Sequence, residues 1–171
     1  MRTIVNFIAF QAGWFACVLG AAHAHPWLGC LAVVAVFALH LALAPAPGAE
    51  LRLAAITVGV GLVLEIVLVS TGVARYAEPG SVPFLPPVWI LAMWLLLATL
   101  LDVSLAWLQT RPWLAVLFAA VGAPLSYAAG ARLGGMEIAA PLWRSYVVMG
   151  VLWAAVFPLL LRVARRGAKR A

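Results

Sequence analysis

Six long apolar stretches constrain this chain more than any other feature of its sequence. A bilayer core about 30 Å thick requires roughly 20 apolar residues in a helix that rises about 1.5 Å per residue. The stretches lack the alternation of apolar and polar residues that is typical of a membrane β-barrel. We therefore predict an all-α integral membrane bundle of six transmembrane helices. The stretches cover residues 4–22, 27–44, 53–73, 87–108, 113–129 and 143–162.

The composition excludes a water-soluble domain. Of the 171 residues, 67% are hydrophobic and only 9% are charged, whereas a soluble domain has about 45–50% apolar and about 25% charged residues. So few charges cannot cover a globule in water, and the same composition excludes intrinsic disorder. Only short Pro- and Gly-rich links separate the stretches, so residues 1–171 are predicted to form a single transmembrane domain.

Basic residues predict the orientation of the chain. With both termini in the cytoplasm, eight of the eleven Lys and Arg residues lie inside and three lie outside, as the positive-inside rule requires. The last segment, about residues 163–171, is then a short basic cytoplasmic tail that contacts anionic membrane lipids. Without a folded basic surface, the net charge of +6 does not indicate a nucleic-acid partner. The basic residues at this end are Arg162, Arg165, Arg166, Lys169 and Arg170.

The first stretch has an alternative interpretation as a signal peptide. Arg2 precedes an apolar run, and Ala22-His23-Ala24 fits a small-x-small cleavage pattern. Cleavage would leave five passes. The run is long for a signal peptide and contains Asn6, Gln11 and Trp14, so a retained first helix is favoured.

Tryptophans give an independent indication of the membrane boundaries. Residues of this type concentrate at both membrane–water interfaces, and five of the eight fall at predicted helix ends. The other three, Trp14, Trp94 and Trp153, fall in mid-helix and are expected to pack inside the bundle or to line a pocket. The five at helix ends are Trp27, Trp89, Trp107, Trp113 and Trp143.

Polar side chains within the stretches are candidate functional residues. An ionisable group in hydrocarbon costs at least about 2.5–3.5 kcal/mol, so it is expected to face the bundle interior. The spacing of Thr57, Gly61 and Glu65 puts Glu65 on a face that packs against another helix. For Asn6 and Gln11, structural interhelical hydrogen bonds are favoured. The candidate ligand-pocket residues are Gln11, Trp14, His40, Glu65, Trp94 and Asp102.

His40 and Asp102 fall at similar predicted depths near the inner ends of the second and fourth stretches. Their depths differ by about 3 Å, so we expect a hydrogen bond between them, direct or through one water. The alternative is that the two helices are not neighbours and each side chain finds its own partner.

Signatures of metal, nucleotide or nucleophile chemistry are absent from the sequence. It contains no nucleotide loop, zinc-protease helix or nucleophile elbow. His23 and His25 are better explained by a turn than by a metal site, and Cys17 and Cys30 by free thiols than by a disulfide. The sequence therefore predicts no metal and no cofactor, and it favours a non-enzymatic role.

Several short motifs are spread along the chain. They are Asn6-Phe7, Phe10-Gln11-x-Gly13-Trp14-Phe15, Pro86-Pro87-x-Trp89, Met93-Trp94, Gly122-Ala123-Pro124-Leu125-x-Tyr127 and Gly130-x-Arg132-Leu133-Gly134. Together these motifs resemble a domain-of-unknown-function family of small multi-pass bacterial inner-membrane proteins. The resemblance covers nearly the whole chain and implies the inner membrane as the location. That family tends to carry Asn-His-Ser where this chain has Asp102-Val103-Ser104, and Asp near the position of Glu65, which argues against a fixed catalytic role there.

Three functions remain open from the sequence. The favoured one is a module that binds or transports a small hydrophobic or lipid-like molecule, with mid-helix tryptophans around an apolar pocket and Glu65 or Asp102 at its polar end. A structural or accessory subunit, with a membrane protein partner or as a homo-oligomer, comes second. A membrane-embedded lipid-modifying enzyme that uses His40 and Asp102 comes third.

Overall fold

The computed structural model describes residues 2–78 and 82–168, and its helices follow the apolar stretches. The prediction of an all-helical architecture is confirmed, apart from two strands of three residues and a short 3-10 helix, Ala106–Leu108. Lys169 and Arg170 of the predicted basic tail lie outside the described residues. The elements are α1 (Arg2–Ala22), α2 (Pro26–Ala42), α3 (Pro47–Ser70), β1 (Ala74–Tyr76), α4 (Val88–Leu101), α5 (Pro112–Arg132), β2 (Met136–Ile138) and α6 (Leu142–Ala168).

Four helices in the described ranges are long and apolar enough to cross a membrane: α1, α3, α5 and α6. The helices α2 and α4 are apolar but have only 17 and 14 residues. At about 1.5 Å per residue, α4 covers about 21 Å, less than a bilayer core of about 30 Å. The chain is thus a helical protein with membrane-like helices, four of them of spanning length.

Proline and glycine set several of the helix boundaries. The helices α2, α3 and α5 begin at Pro26, Pro47 and Pro112, where the missing N–H of proline has no helical partner to lose. The helices α3 and α5 end before Gly72 and Gly134, whose φ angles are +71° and +83°. Each glycine allows a Schellman turn, in which the following N–H bonds back to the helix.

Each of these two turns leads directly into a strand, and the two strands pair. β1 and β2 are antiparallel, with Ala74 opposite Ile138, Arg75 opposite Glu137 and Tyr76 opposite Met136. The pairing fixes the ends of α3 and α5 on the same side of the molecule. It also turns Tyr76 inward, because alternate residues of a strand face opposite sides and Arg75 is exposed.

The helix α4 ends at Leu101, earlier than the apolar stretch 87–108 predicts. Polar side chains from other segments take up carbonyls that the break leaves free: Asn6 donates to the Thr99 carbonyl and Gln109 to the Leu101 carbonyl, each at 3.0 Å. Ser104, in the turn after the break, lies 2.6 Å from Asn6 Oδ1. Apolar surroundings require such partners for non-helical backbone, so the interhelical role predicted for Asn6 is confirmed.

The helices surround a central space as an open ring. In order around it, α1 packs against α4, α4 against α3, α3 against α6, and α6 against α5, while α2 covers α1 and α4. The ring is incomplete because α1 and α5 make almost no direct contact with each other. At one end of this gap the turn at Gly135 approaches Val18 of α1.

Exposure of the tryptophans agrees with the predicted belt at four of the five positions. The exception is Trp89, which is buried: its indole donates to the Ala77 carbonyl at 3.1 Å and packs edge-on against Tyr76. Trp89 therefore lies at the start of α4, as the sequence predicts, but it packs inside the protein against Tyr76 and Ala77. The exposed tryptophans are Trp27, Trp107, Trp113 and Trp143.

Candidate functional site

A cavity of about 530 Å³ lies inside the open ring. This volume is in the range of small-molecule sites, about 300–1,000 Å³. The cavity is bounded by α1, α4, α5 and α6, with one residue each from α3, β1 and β2, and its lining is predominantly apolar. Aromatic side chains supply much of the wall. They include Phe10, Trp14, Trp94, Tyr127, Trp153 and Phe157.

Glu65 forms the polar corner of this cavity. Its carboxyl group accepts three hydrogen bonds from neutral donors: the Tyr76 hydroxyl to Oε2, and to Oε1 both the Trp94 indole N–H at 3.0 Å and the Tyr127 hydroxyl at 2.7 Å. Glu65 is only 2% exposed. The prediction that Glu65 faces other helices rather than lipid is confirmed.

A glycine brings Trp94 close enough to reach this carboxyl group. A Cβ atom at Gly61 would lie 2.1 Å from the Trp94 indole, so the ring lies directly on the backbone of α3. Glu65 follows Gly61 by four residues, on the same face of the helix. The indole N–H therefore meets the carboxyl group one turn further along α3.

Trp153 supports two of the side chains that donate to Glu65, Trp94 and Tyr127. The Trp94 and Trp153 rings stack with centroids 4.6 Å apart and planes at 14°, and the Trp153 indole N–H lies 3.4 Å from the Tyr127 hydroxyl oxygen. Tyr127 thus accepts from Trp153 while it donates to Glu65. Side chains from α3, α4, α5 and α6 therefore contact one another around Glu65.

Tyr76 reaches the cavity from β1 rather than from a helix. Burial, together with the nearby Tyr127 and Glu65, raises the pKa of the Tyr76 phenol well above its usual range. The phenol is therefore protonated at neutral pH and can donate to Glu65. Its position depends on the β1–β2 pairing, so the strands connect the end of α5 to the polar corner.

The predicted pocket residues fall into two groups in the structure. Gln11, Trp14, Glu65 and Trp94 all line the cavity. Gln11 makes no hydrogen bond within the described part of the chain. His40 and Asp102 do not belong to the lining. The functional roles of all six residues stay predictions.

His40 and Asp102 are not hydrogen-bonded to each other, and each has another partner. His40 Nε2 lies 3.0 Å from Glu50 Oε2 across the turn between α2 and α3, and Asp102 Oδ1 accepts from Gln109 Nε2 at 2.6 Å. The expected direct bond fails because α4 ends at Leu101, which places Asp102 in a turn beside Gln109. The ten-residue separation of His40 and Glu50 around a Pro- and Gly-containing turn is the sequence signal for the pair that does form.

Cys17 and Cys30 are free thiols. Across residues 2–78 and 82–168, no group of three or more His, Cys, Asp or Glu side chains is arranged to hold a metal ion.

The cavity faces the side of the molecule at the gap between α1 and α5. Four apolar side chains that line it there are also exposed: Phe7 and Phe15 on α1 are 50% and 45% exposed, and Phe118 and Leu125 on α5 are 46% and 64% exposed. These four residues form the rim of a lateral opening. In a bilayer, this opening would face the lipid.

Comparison with known proteins places the chain in a family. No curated protein and no solved structure matches it significantly. Residues 3–159 match the profile of a family described as a protein of unknown function, DUF2878. Because the match covers most of the sequence, including every residue that lines the cavity, the chain belongs to the DUF2878 family.

Proposed function

We propose that this protein is a multi-pass membrane protein that binds or carries a small hydrophobic or lipid-like molecule. The observation that carries the proposal is the aromatic cavity of about 530 Å³ with one carboxyl group in its wall. Pockets of this kind bury most of an apolar ligand and use a few polar groups to orient it. Glu65 and its three donors would be the orienting group.

The lateral opening supports a ligand that arrives from the membrane. Hydrophobic molecules concentrate in the bilayer, so a cavity that faces the lipid is accessible to them without passage through water. The rim consists of apolar side chains from α1 and α5, and these two helices are not packed against each other. A separation of α1 and α5 would therefore break few contacts.

We place the protein in the bacterial inner membrane with both termini in the cytoplasm and six passes. The distribution of basic residues supports this orientation. The pairing of β1 with β2 supports the number of passes, because α3 and α5 must end on the same side if α4 and α5 each cross once. In this arrangement α2 and α4 are short passes, and residues 102–111 complete the return from α4 to α5.

Native mass spectrometry of gently solubilised protein tests the binding function with a matched pair of variants. Gly122 lines the cavity, and a Cβ there would meet nothing within 4 Å, so Gly122→Leu fills the cavity without a backbone clash. Gly59 has equally free space on an exposed face of α3. We expect a bound small molecule on the native protein and on Gly59→Leu, and its loss from Gly122→Leu.

The same measurement separates the alternatives. An unliganded protein that carries a stoichiometric membrane partner would contradict the binding proposal in favour of an accessory subunit. A lipid-modifying enzyme has less support, because His40 and Asp102 lie away from the cavity and are not joined to each other.

A further inference from the structure

The hydrogen bonds around Glu65 fit an ionised carboxylate. The Trp94 indole can only donate, and both phenols have a proton to place. A protonated Glu65 would instead donate to one of its tyrosines, and that phenol would turn its own proton toward the other tyrosine beside it. A neutral amine that entered the cavity would take the proton from Glu65, so the bound pair is an ammonium and a carboxylate in either case. As a carboxylate, Glu65 gives every one of the three donors an acceptor.

This carboxylate has no counter-charge from the described part of the protein. Among those residues, the contact between a basic side chain and a carboxyl group is that of His40 with Glu50, in another part of the fold, and the three groups that contact Glu65 are all neutral. A buried charge is unfavourable unless it is paired as well as hydrogen-bonded. A positive charge brought by a ligand would complete the site.

The remaining acceptor capacity of Glu65 matches such a ligand. A carboxylate oxygen offers two lone pairs, and Oε2 accepts one bond, from Tyr76. Glu65 lines the cavity, so Oε2 can accept a further N–H. Trp14 and Trp153 are also in the lining, and indole faces within about 6 Å attract cations.

We infer that the ligand of the cavity is a hydrophobic amine in its protonated form, with its ammonium group on Glu65 and its apolar body among the aromatic walls. This inference rests on the proposed binding function and specifies its ligand class. The ammonium group would donate one hydrogen bond to Glu65 Oε2. The apolar part would extend toward the lateral opening between α1 and α5.

Three compounds with the same skeleton test the inference: phenylbutylamine, phenylbutanol and phenylbutyrate, which differ mainly in the charge of one end group. Binding is measured by calorimetry on the full-length protein in nanodiscs of zwitterionic phosphatidylcholine, with empty nanodiscs subtracted. We expect the amine to bind at least about tenfold more tightly than the alcohol, equivalent to about 1.4 kcal/mol. The anion should bind more weakly than the alcohol.

Two charge-removing variants connect this preference to Glu65. Glu65→Gln should weaken the binding of the amine by about tenfold, whereas the affinity for the alcohol should change by less than about twofold. Glu137→Gln removes a carboxylate that is exposed on β2 and should leave all three affinities unchanged. If Glu65→Gln does not fold, the order of the three compounds on the native protein still decides the question.

The outcomes distinguish the ligand class from the binding function. If the alcohol or the anion binds as tightly as the amine and Gly122→Leu abolishes the binding, the cavity is a binding site but the cation inference is wrong. If none of the compounds binds to the native protein, both the inference and its basis in the cavity are contradicted. An amine preference that survives Glu65→Gln would also overturn the inference.

Discussion

Tyr127 contacts both Glu65 and Trp153 through its hydroxyl group. Its hydroxyl donates to Glu65 at 2.7 Å and lies 3.4 Å from the indole nitrogen of Trp153. A phenol can do both at once because it has one proton and two lone pairs. Loss of this hydroxyl would leave Glu65 Oε1 with only the bond from Trp94.

Tyr127→Phe should therefore destabilise the protein. A buried acceptor that loses one of its donors costs about 1–3 kcal/mol, so we expect a decrease of that size in the free energy of unfolding, measured in mixed micelles with denaturant. Tyr146→Phe is the control, since Tyr146 makes no side-chain hydrogen bond in the described ranges. Equal effects of the two substitutions would show that the hydrogen bond from Tyr127 to Glu65 does not stabilise the protein.

Gly61→Ala tests the close approach of Trp94 to α3. The added methyl group would lie 2.1 Å from the indole, so the ring must move away from Glu65. Overpacking of this kind costs about 1–3 kcal/mol. We expect a lower unfolding midpoint and a shifted tryptophan emission maximum. Gly59→Ala, two residues earlier with nothing within 4 Å, should leave the emission maximum unchanged and should not lower the unfolding midpoint, since alanine favours a helix over glycine.

The sequence predicts the inward orientation of Glu65, but it does not predict which side chains form hydrogen bonds with it. Its inward orientation follows from Thr57 and Gly61 at helical spacing, which is a local pattern. Tyr76 and Tyr127 are 11 and 62 residues away from Glu65 in sequence. Their positions depend on the β1–β2 register and on the packing of α5, and neither leaves a local pattern.

Among the secondary-structure elements, α4 shows that an apolar run does not determine where a helix ends. The run 87–108 predicts one helix, but the helix ends at Leu101. Its end is stabilised by Asn6, about a hundred residues earlier, and by Gln109 from the following turn. Hydropathy reports only how apolar a segment is. It therefore does not indicate a helix end that is stabilised by polar side chains from distant parts of the sequence. By contrast, the starts of α2 and α5 at prolines are local signals, and each lies one residue from the predicted start of its stretch. The helix α3 begins at Pro47, six residues before the predicted start at 53.

Asn6→Leu should loosen the end of α4 without unfolding the rest of the molecule. The substitution removes the donor to the Thr99 carbonyl and the acceptor near Ser104, each bond contributing about 1 kcal/mol. We expect several-fold faster amide hydrogen exchange at Val103 and Leu105, whose N–H groups bond to Leu100.

Gln11→Leu provides the comparison on the same helix. Gln11 is also a polar residue of α1, but it has no hydrogen-bond partner in the described part of the chain, so exchange at Val103 and Leu105 should stay as in the native protein. Unchanged exchange in Asn6→Leu would show that the turn after α4 holds without α1.

At the scale of the whole molecule, the open ring explains how a small chain encloses a cavity. A closed bundle of these helices would bring α1 against α5 and fill the centre. Instead α1 is held by α2 and α4, and α5 by α6 and β2. The two sides meet near Gly135 at one end of the gap. The chain therefore keeps its shape while one lateral face stays open.

The topology of the whole molecule gives the last prediction, which uses cysteine labelling on intact bacterial cells. In a background with Cys17→Ala and Cys30→Ala, one new cysteine replaces Glu137 on β2 and another, in a separate protein, replaces Arg165 near the end of α6. Both native residues are exposed, and α6 runs from the β2 side of the molecule to the opposite side. If the termini are cytoplasmic, an impermeant maleimide should label Glu137→Cys on intact cells and Arg165→Cys only after permeabilisation. The reverse pattern would contradict the orientation derived from the basic residues, and labelling of both on intact cells would contradict a membrane-spanning α6.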